Sequence, residues 1–454
     1  MIKTTVEEKY QNIWLTANGK RYLEALPHLQ KIISGQSFLY REKGTPSMVM
    51  DIKLDEQVNQ EALQNALYAS LERFPYFTGQ LQRKENNYFL THNELPMIVT
   101  ESNTLRALGS AETNYHLVDV TFWNDKILVS YHHALTDGRG ITPFVNALLY
   151  YYFSITDSSV PQLTNIHQSN ESMQLEEMAE PFEQKSDKIQ QSHPINRKGF
   201  QLPEVTNDYS KHSYRYELNI DQKSFMVFAR NHSATPAIAI SIMMSQAIQR
   251  VYPEFDQPIV INMASDLRMG SAHQSTARNC VGSVTLPIEK NIDNNTLFAE
   301  LANTFRQEIK EHKKQENLNQ LLNQMMALYT KLDAQPTFAD KQRMMSMFDD
   351  MLLNTFILSY SGQAQLGVFE SHIEEMHTYM SGTKGLSIEM LAANDKIFVD
   401  IMQSFESDVY VKTLADILTE NNIQFTRREG IVFETPNDEI EYKNSKINKT
   451  ATKV

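Results

Sequence analysis

The stretch YHHALTDGRG, residues 131–140, sets an aspartate and a glycine four and five positions after the second of two adjacent histidines. A four-position match to HHxxxDG arises by chance in a chain of this length on the order of once in a thousand, so the pattern is specific. Upstream, KILVSYHH (126–133) reads as a strand. Downstream, ITPFVNALLYYYF (141–153) has helical periodicity, with Pro143 in its expected first turn. The motif therefore occupies a strand-to-helix connection. Backbone N–H groups at a helix start are unpaired and carry partial positive charge, which makes such connections good places to present functional groups.

Three chemistries compete for these residues. A metal site is disfavoured, because adjacent strand residues point to opposite faces and His132 and His133 cannot easily share an ion. Asp137 can join one of them, but no third ligand lies at useful spacing, so no metal is expected. A nucleophilic triad needs a serine elbow such as GxSxG, and LSYSGQ (358–363) lacks that geometry. General-base catalysis without a covalent intermediate needs neither. A neutral imidazole, with an ordinary pKa of about 6.5, removes the proton of an alcohol or amine as it attacks an activated carbonyl. A backbone N–H at the helix start then stabilises the oxyanion. On this reading one histidine of the pair is the base, and His132 reads as a strand-packing residue that orients its neighbour rather than as a second base.

Working outward, SMVMDIKLD (47–55) alternates as a half-buried strand, with Met48, Met50, Ile52 and Leu54 on one face. It leads into EALQNALYASLERF, an amphipathic helix through Leu63, Leu67, Leu71 and Phe74 that Pro75 stops. Residues 156–202 are polar and contain Pro and Ser, the best linker in the chain. Beyond them come a strand over 213–220, a helix over 233–252 capped by Thr235 with Pro236 behind it, and strands over 257–268 and 280–289. A helix over 296–312, a strand over 353–362, a hairpin turning at Asn394–Asp395 and a helix over 411–423 complete the pattern. The division expected is a motif-bearing half (1–160), a polar connection (161–205), a second half (206–435) and a disordered tail (436–454). Pattern alone supports an α/β or α+β fold in two comparable halves.

The 454 residues are 41% hydrophobic and 21% charged, as in a globular protein, and exceed one ordinary core. The net charge of −13 argues against nucleic acid and anionic membranes as partners. The most apolar stretch, PAIAISIMMSQAI (236–248), falls short of the roughly 20 residues that span a bilayer. MIKTTVEEKYQNIW lacks the apolar core of a signal peptide. A single cysteine, Cys280, leaves no intrachain disulfide and fits a reducing, cytoplasmic setting. Its apolar surroundings make it a buried thiol rather than a nucleophile. The 21 methionines are mostly core filler, with an acyl channel as their alternative use.

HHALTDGRG resembles the signature of the chloramphenicol-acetyltransferase-like superfamily, which includes alcohol acetyltransferases, plant BAHD acyltransferases, wax ester synthases and nonribosomal-peptide condensation domains. ALYASLERFPYFTGQL (66–81), SATPAIAISIMMSQAI and NMASDLR are similar to further landmarks of that group, so the resemblance runs from about residue 40 to 425. It implies two α+β sandwich subdomains with a tunnel between them, and His133 as the base at its centre. An acyl thioester enters from one side and an alcohol or amine from the other. Asp137 is implied to be structural, paired with an arginine of the second half. Arg268 of SDLR is the matching residue and Arg278 of ARNC the fallback. Gly138 is implied to let the chain turn tightly, with its N–H facing the reacting centre. Ser359 or Ser361 matches an oxyanion-binding serine, against the alternative of an ordinary strand-end turn. Arg139 either meets a CoA phosphate or is a solvated surface arginine. His273 and His377 have no context that singles them out.

No DFGWG-like segment is present, and the layout is similar to the free-standing alcohol-acyltransferase branch. The function implied is transfer of an acyl group from acyl-CoA, used as co-substrate with no bound cofactor, to a hydroxyl. Two alternatives stay open. One is a condensation-type enzyme that takes its acyl group from a carrier protein. The other is a non-catalytic binding protein of the same fold.

Overall fold

The computed structural model describes residues 5–26, 30–41, 46–156, 166–182, 198–207, 209–289, 292, 295–350, 354–428 and 430–433. In the first half, β1 (Met48–Leu54) leads into α1 (Gln60–Arg73), and the hairpin β2 (Val118–Trp123) and β3 (Lys126–Tyr131) leads into α2 (Gly138–Thr156). Asn59 caps α1 by accepting from the Ala62 N–H at 2.9 Å. Leu63, Leu67 and Leu71 are fully buried and Phe74 nearly so, each side chain contributing about 1.5–3 kcal/mol on transfer from water. α1 packs beside α2 on one face of the sheet.

In the second half, β4 (Tyr209–Asp221) precedes α3 (Pro236–Val251), β5 (Ile259–Asp266), β6 (Val281–Ile288), β7 (Phe356–Gln363), β8 (Ile373–Met380), β9 (Leu386–Ala393), β10 (Lys396–Phe405) and α4 (Val409–Glu420). Thr235 caps α3 and Pro236 opens it, as the sequence leads one to expect. α3 is apolar on nearly every side and buried to match, with α4 packed along it. The second sheet runs β6–β5–β7–β9–β10–β4, and the Phe425–Arg427 strand pairs with β4 at its edge. β9 and β10 form the expected hairpin, with Asn394 and Asp395 at positive φ in its turn.

The two halves share a strand. β8 pairs antiparallel with β1 from Ile373↔Leu54 to Met380↔Met48, so a segment late in the chain joins the first sheet, ordered β8–β1–β3–β2 with Thr100–Glu101 outermost. This explains a departure from the sequence reading of β1. Val49 and Asp51, assigned to the solvent face of a half-buried strand, are buried. Val49 packs with Tyr379 and Met402, and Asp51 meets Arg215 of β4. β1 is therefore covered on both faces.

The expected polar connection is partly anchored. Glu177 accepts from both terminal nitrogens of Arg73 at 2.8 Å and from Tyr76 Oη at 2.9 Å, and Glu180 accepts from the Ser34 N–H at 2.8 Å. Residues 157–165, 183–197 and 434–454, which hold the rest of that connection and the expected tail, lie outside the described residues. Two helices, Gln315–Asp333 and Phe338–Asp350, occupy a stretch to which the sequence reading assigns no element. Among the described residues no helix is long and apolar enough to cross a membrane.

Candidate active site

α2 begins three residues earlier than its apolar periodicity indicates, at Gly138 inside the motif. The cause is Asp137, whose Oδ1 accepts from the Gly140 N–H at 2.8 Å and so caps the helix at once. Pro143 consequently sits in the second turn rather than the first. Asp137 is fully buried and its other contacts come from the second half. Oδ1 also accepts from Arg268 Nη2 at 2.9 Å, and Oδ2 accepts from the Cys280 N–H at 2.7 Å.

Arg268, just beyond β5, is held from every side. Its Nε donates to the Thr276 carbonyl, Nη1 to Asp266 and Nη2 also to the Arg278 carbonyl, each at 2.8 Å. Burial opposes its charge, but Asp137 and Asp266 outweigh that and hold the guanidinium firmly protonated. The fallback, Arg278, points elsewhere: its side chain bonds the Met178 carbonyl and Gln30.

His133 lies two residues beyond Tyr131, the end of β3. Its ring stacks on Phe38, with centroids 4.3 Å apart and planes 14° off parallel. Nδ1 lies 3.2 Å from the Thr136 carbonyl oxygen and 3.0 Å from Asn279 Nδ2, so it donates to the first in one tautomer, which leaves the lone pair on Nε2, and accepts from the second in the other. Burial, with Arg41 adding, outweighs the pull of Asp137 and lowers the imidazole pKa, so the ring is neutral at pH 7. His132 is almost wholly buried on the other side. Its Nδ1 accepts from the Ala134 N–H at 3.0 Å, and burial, with His133 adding, pulls its pKa down to about 3. It is a neutral strap for the turn.

Asn279 escaped the sequence reading. Its Nδ2 donates to the His133 carbonyl oxygen at 3.0 Å and lies 3.0 Å from His133 Nδ1, while Oδ1 accepts from the Val281 N–H at 3.2 Å. The one available signal was its place between Arg278 and Cys280, both already singled out. The Cys280 thiol is buried and burial pushes its pKa up to about 12, so it is not a thiolate at neutral pH.

The glycines divide their roles differently from the sequence-based expectation. Gly138 is not in the left-handed region, so no tight turn demands it. A Cβ there would point at Tyr131 Oη, 3.6 Å away, and Ser361 Oγ, 4.0 Å away. The close approach is at Gly140, where a Cβ would lie 2.3 Å from the Ala277 carbonyl oxygen and 2.4 Å from Thr136 Oγ1. Ser361 is exposed and adjoins Gly138, whereas Ser359 is half-buried and lies opposite Glu389 on β9. Arg139 is a surface arginine whose Nε lies 3.1 Å from Asp266. His273 is half-buried near the Arg268 turn, and His377 lies in a buried ionic cluster with Asp400, Glu217 and Glu375.

No protein-family model matches the sequence, and no curated protein matches it significantly. Solved structures do match in fold. TRI3 trichothecene 15-O-acetyltransferase from Fusarium sporotrichioides aligns over 87% of this chain and 94% of its own, at 11% identity and a TM-score of 0.57. Polyketide synthase associated protein 5 from Mycobacterium tuberculosis aligns over 86% and 96%, at 12% identity and a TM-score of 0.55. TRI101 of F. graminearum, complexed with coenzyme A and T-2 mycotoxin, aligns over 88% and 99%, at 10% identity and a TM-score of 0.55. The chain shares the fold of these structures, built here as two halves, each with its own sheet and core.

Proposed function

We propose that the protein is an acyltransferase that moves an acyl group from acyl-CoA to a hydroxyl, with His133 as general base. The observation that carries this is the setting of His133. It is a neutral imidazole held at Nδ1 between the Thr136 carbonyl and Asn279, and in the tautomer that donates to Thr136 the basic atom is Nε2. The acceptor hydroxyl gives its proton to Nε2 as its oxygen attacks the thioester carbonyl. The oxyanion forms beside the Gly138 and Arg139 N–H groups at the start of α2, since Asp137 takes that of Gly140, with Ser361 Oγ near the same place. Collapse breaks the C–S bond, and the departing thiolate takes the proton back from the imidazolium. Atoms and charges balance without a metal or a covalent enzyme intermediate. Asp137 and Arg268 serve by fixing the turn that presents His133.

A donor borne by a carrier protein is the second reading, favoured by likeness to a structure described as polyketide synthase associated. The protein is expected to act in the cytoplasm. The test is thiol release from a panel of acyl-CoAs, given small alcohols and amines, for the native protein beside His133→Ala. Release that needs both acceptor and His133 supports the reading. Silence with CoA donors but turnover with pantetheinyl-protein thioesters moves the donor to the carrier. Silence with both leaves the chain a non-catalytic member of the fold.

A further inference from the structure

β9 shows its two faces to the two halves of the molecule. Ile388, Met390 and Ala392 pack in the core of the second half, whereas Leu391 and Ala393 pack with that of the first. Glu389 shares the parity of Leu391 and Ala393, so it points from the floor of the second sheet toward the half that bears the motif. It is 4% exposed. Its cross-strand partner on β7 is Ser359, whose side chain favours the ionised carboxyl. It also lies within electrostatic reach of Tyr131, the last residue of β3, whose phenol is raised by burial, by Asp137 and by Glu389. Tyr131 Oη and Ser361 Oγ both border Gly138, so Glu389 belongs to the neighbourhood of the motif.

What sets Glu389 apart among the described residues is the absence of a counter-ion. Asp400, directly opposite on β10 and equally buried, is paired with Arg215 and His377. No salt bridge reaches Glu389 among the described residues. Burial, opposed by Ser359 and reinforced by Asp400, pushes its pKa up to about 8, so at neutral pH it is mostly a carboxylic acid that can both donate and accept. For stability alone, an aliphatic residue of similar volume would serve such a position better. A buried carboxyl on the face turned toward the motif-bearing half, with no ion pair among the described residues, fits a group kept for a ligand.

We propose that Glu389 is an acceptor-binding residue, taking a second hydrogen-bonding group, hydroxyl or amine, of the molecule acylated at His133. The acceptor class is then a diol or amino alcohol rather than a simple alcohol. This rests on the acyl-transfer reading and narrows its substrate.

The experiment compares kcat/KM for primary alcohols of two to six carbons with the matching α,ω-diols and amino alcohols, using one acyl-CoA that the protein turns over. At the best length the native protein is expected to favour the bifunctional acceptor by about ten- to a hundredfold, the range of a hydrogen bond to a buried ionisable group. In Glu389→Leu that ratio falls to near one while the melting temperature holds or rises. Glu389→Gln keeps the diol preference and loses that for the amine. A native ratio near one at every length overturns the proposal, as does a Leu variant that lowers kcat/KM alike for all acceptors or unfolds. Absence of turnover with any acceptor and any donor overturns the acyl-transfer reading, and this proposal with it.

Discussion

Asp137 and Arg268 lie 131 residues apart in sequence, and Asp137 Oδ1 accepts from Arg268 Nη2 at 2.9 Å. Both carboxylate oxygens of Asp137 face only N–H donors: Gly140 and Arg268 at Oδ1, Cys280 at Oδ2. Asp137→Asn is therefore no conservative change, because either orientation of the amide turns an NH2 group against a donor. The expected loss is roughly 3 kcal/mol or more, similar to breaking a buried ion pair. Arg268→Ala should cost at least as much, since it leaves Asp137 buried without its counter-ion. Denaturant unfolding at pH 7 measures both, and an Asp137→Asn protein as stable as the native one would contradict this account of the seam.

Gly140→Ala and Gly138→Ala should behave in opposite ways. A methyl at Gly140 collides with the Ala277 carbonyl and Thr136 Oγ1, so the Ala277 backbone and the Thr136 side chain must both move, at a cost of about 1–3 kcal/mol or more. A methyl at Gly138 meets nothing closer than 3.6 Å and should leave the melting temperature almost unchanged. It projects toward Tyr131 and Ser361, however, where the oxyanion is placed. Lower kcat in a normally stable Gly138→Ala protein is the expected result. Equal loss of stability in the two variants would mean that Gly138 serves the turn after all.

The lowered pKa of His133 predicts the pH profile. Activity that needs the neutral ring should rise with pH through a midpoint below 6.5, the ordinary histidine value, and be level at neutral pH. Asn279 contributes here as a positioning residue, since it grips the His133 backbone and crowds Nδ1. Asn279→Ala should reduce kcat about ten- to a hundredfold and move that midpoint, through loss of ring alignment. A uniform loss of stability with an unmoved midpoint would make Asn279 merely structural.

These residues show where sequence reasoning reaches and where it stops. The pairing of strand, histidines and helix was legible because the motif is contiguous and its flanks carry clean periodicities. Asn279 was not, since it meets His133 from 146 positions away with no local pattern to mark it. β8 was missed for a different reason. ESHIEEMHTYM has Glu375 and His377 in a strand buried between the two halves, so the apolar alternation that signals a strand is replaced by charges. Apart from the contact between Glu375 and His377 themselves, the partners of those charges among the described residues come from β1, β4 and β10 and from Arg428, which no local window contains.

That ionic cluster makes a prediction about stability. Asp51, Glu217, Glu375 and Asp400 bring four carboxylates into one seam, and Arg215, Lys126 and Arg428 supply three cations. His377 completes the balance if it is imidazolium. Its Nδ1 is 3.0 Å from Asp400, and Nε2 faces Glu217 at 3.9 Å and Glu375 at 3.8 Å. Burial opposes its charge, but Asp400 and Glu375 outweigh burial and raise the pKa to about 9. A histidine with a raised folded-state pKa stabilises fully below its unfolded value of about 6.5 and ceases to do so as pH passes 9. The interval corresponds to roughly 3 kcal/mol. Because the cluster joins β1 and β8 of the first sheet to β4 and β10 of the second, its loss should loosen the halves together. His377→Gln should thus be less stable than the native protein at pH 6, with the gap closing toward pH 10. A gap that stays constant from pH 6 to pH 10 would show that His377 is neutral in the fold and that the carboxylates are balanced in some other way.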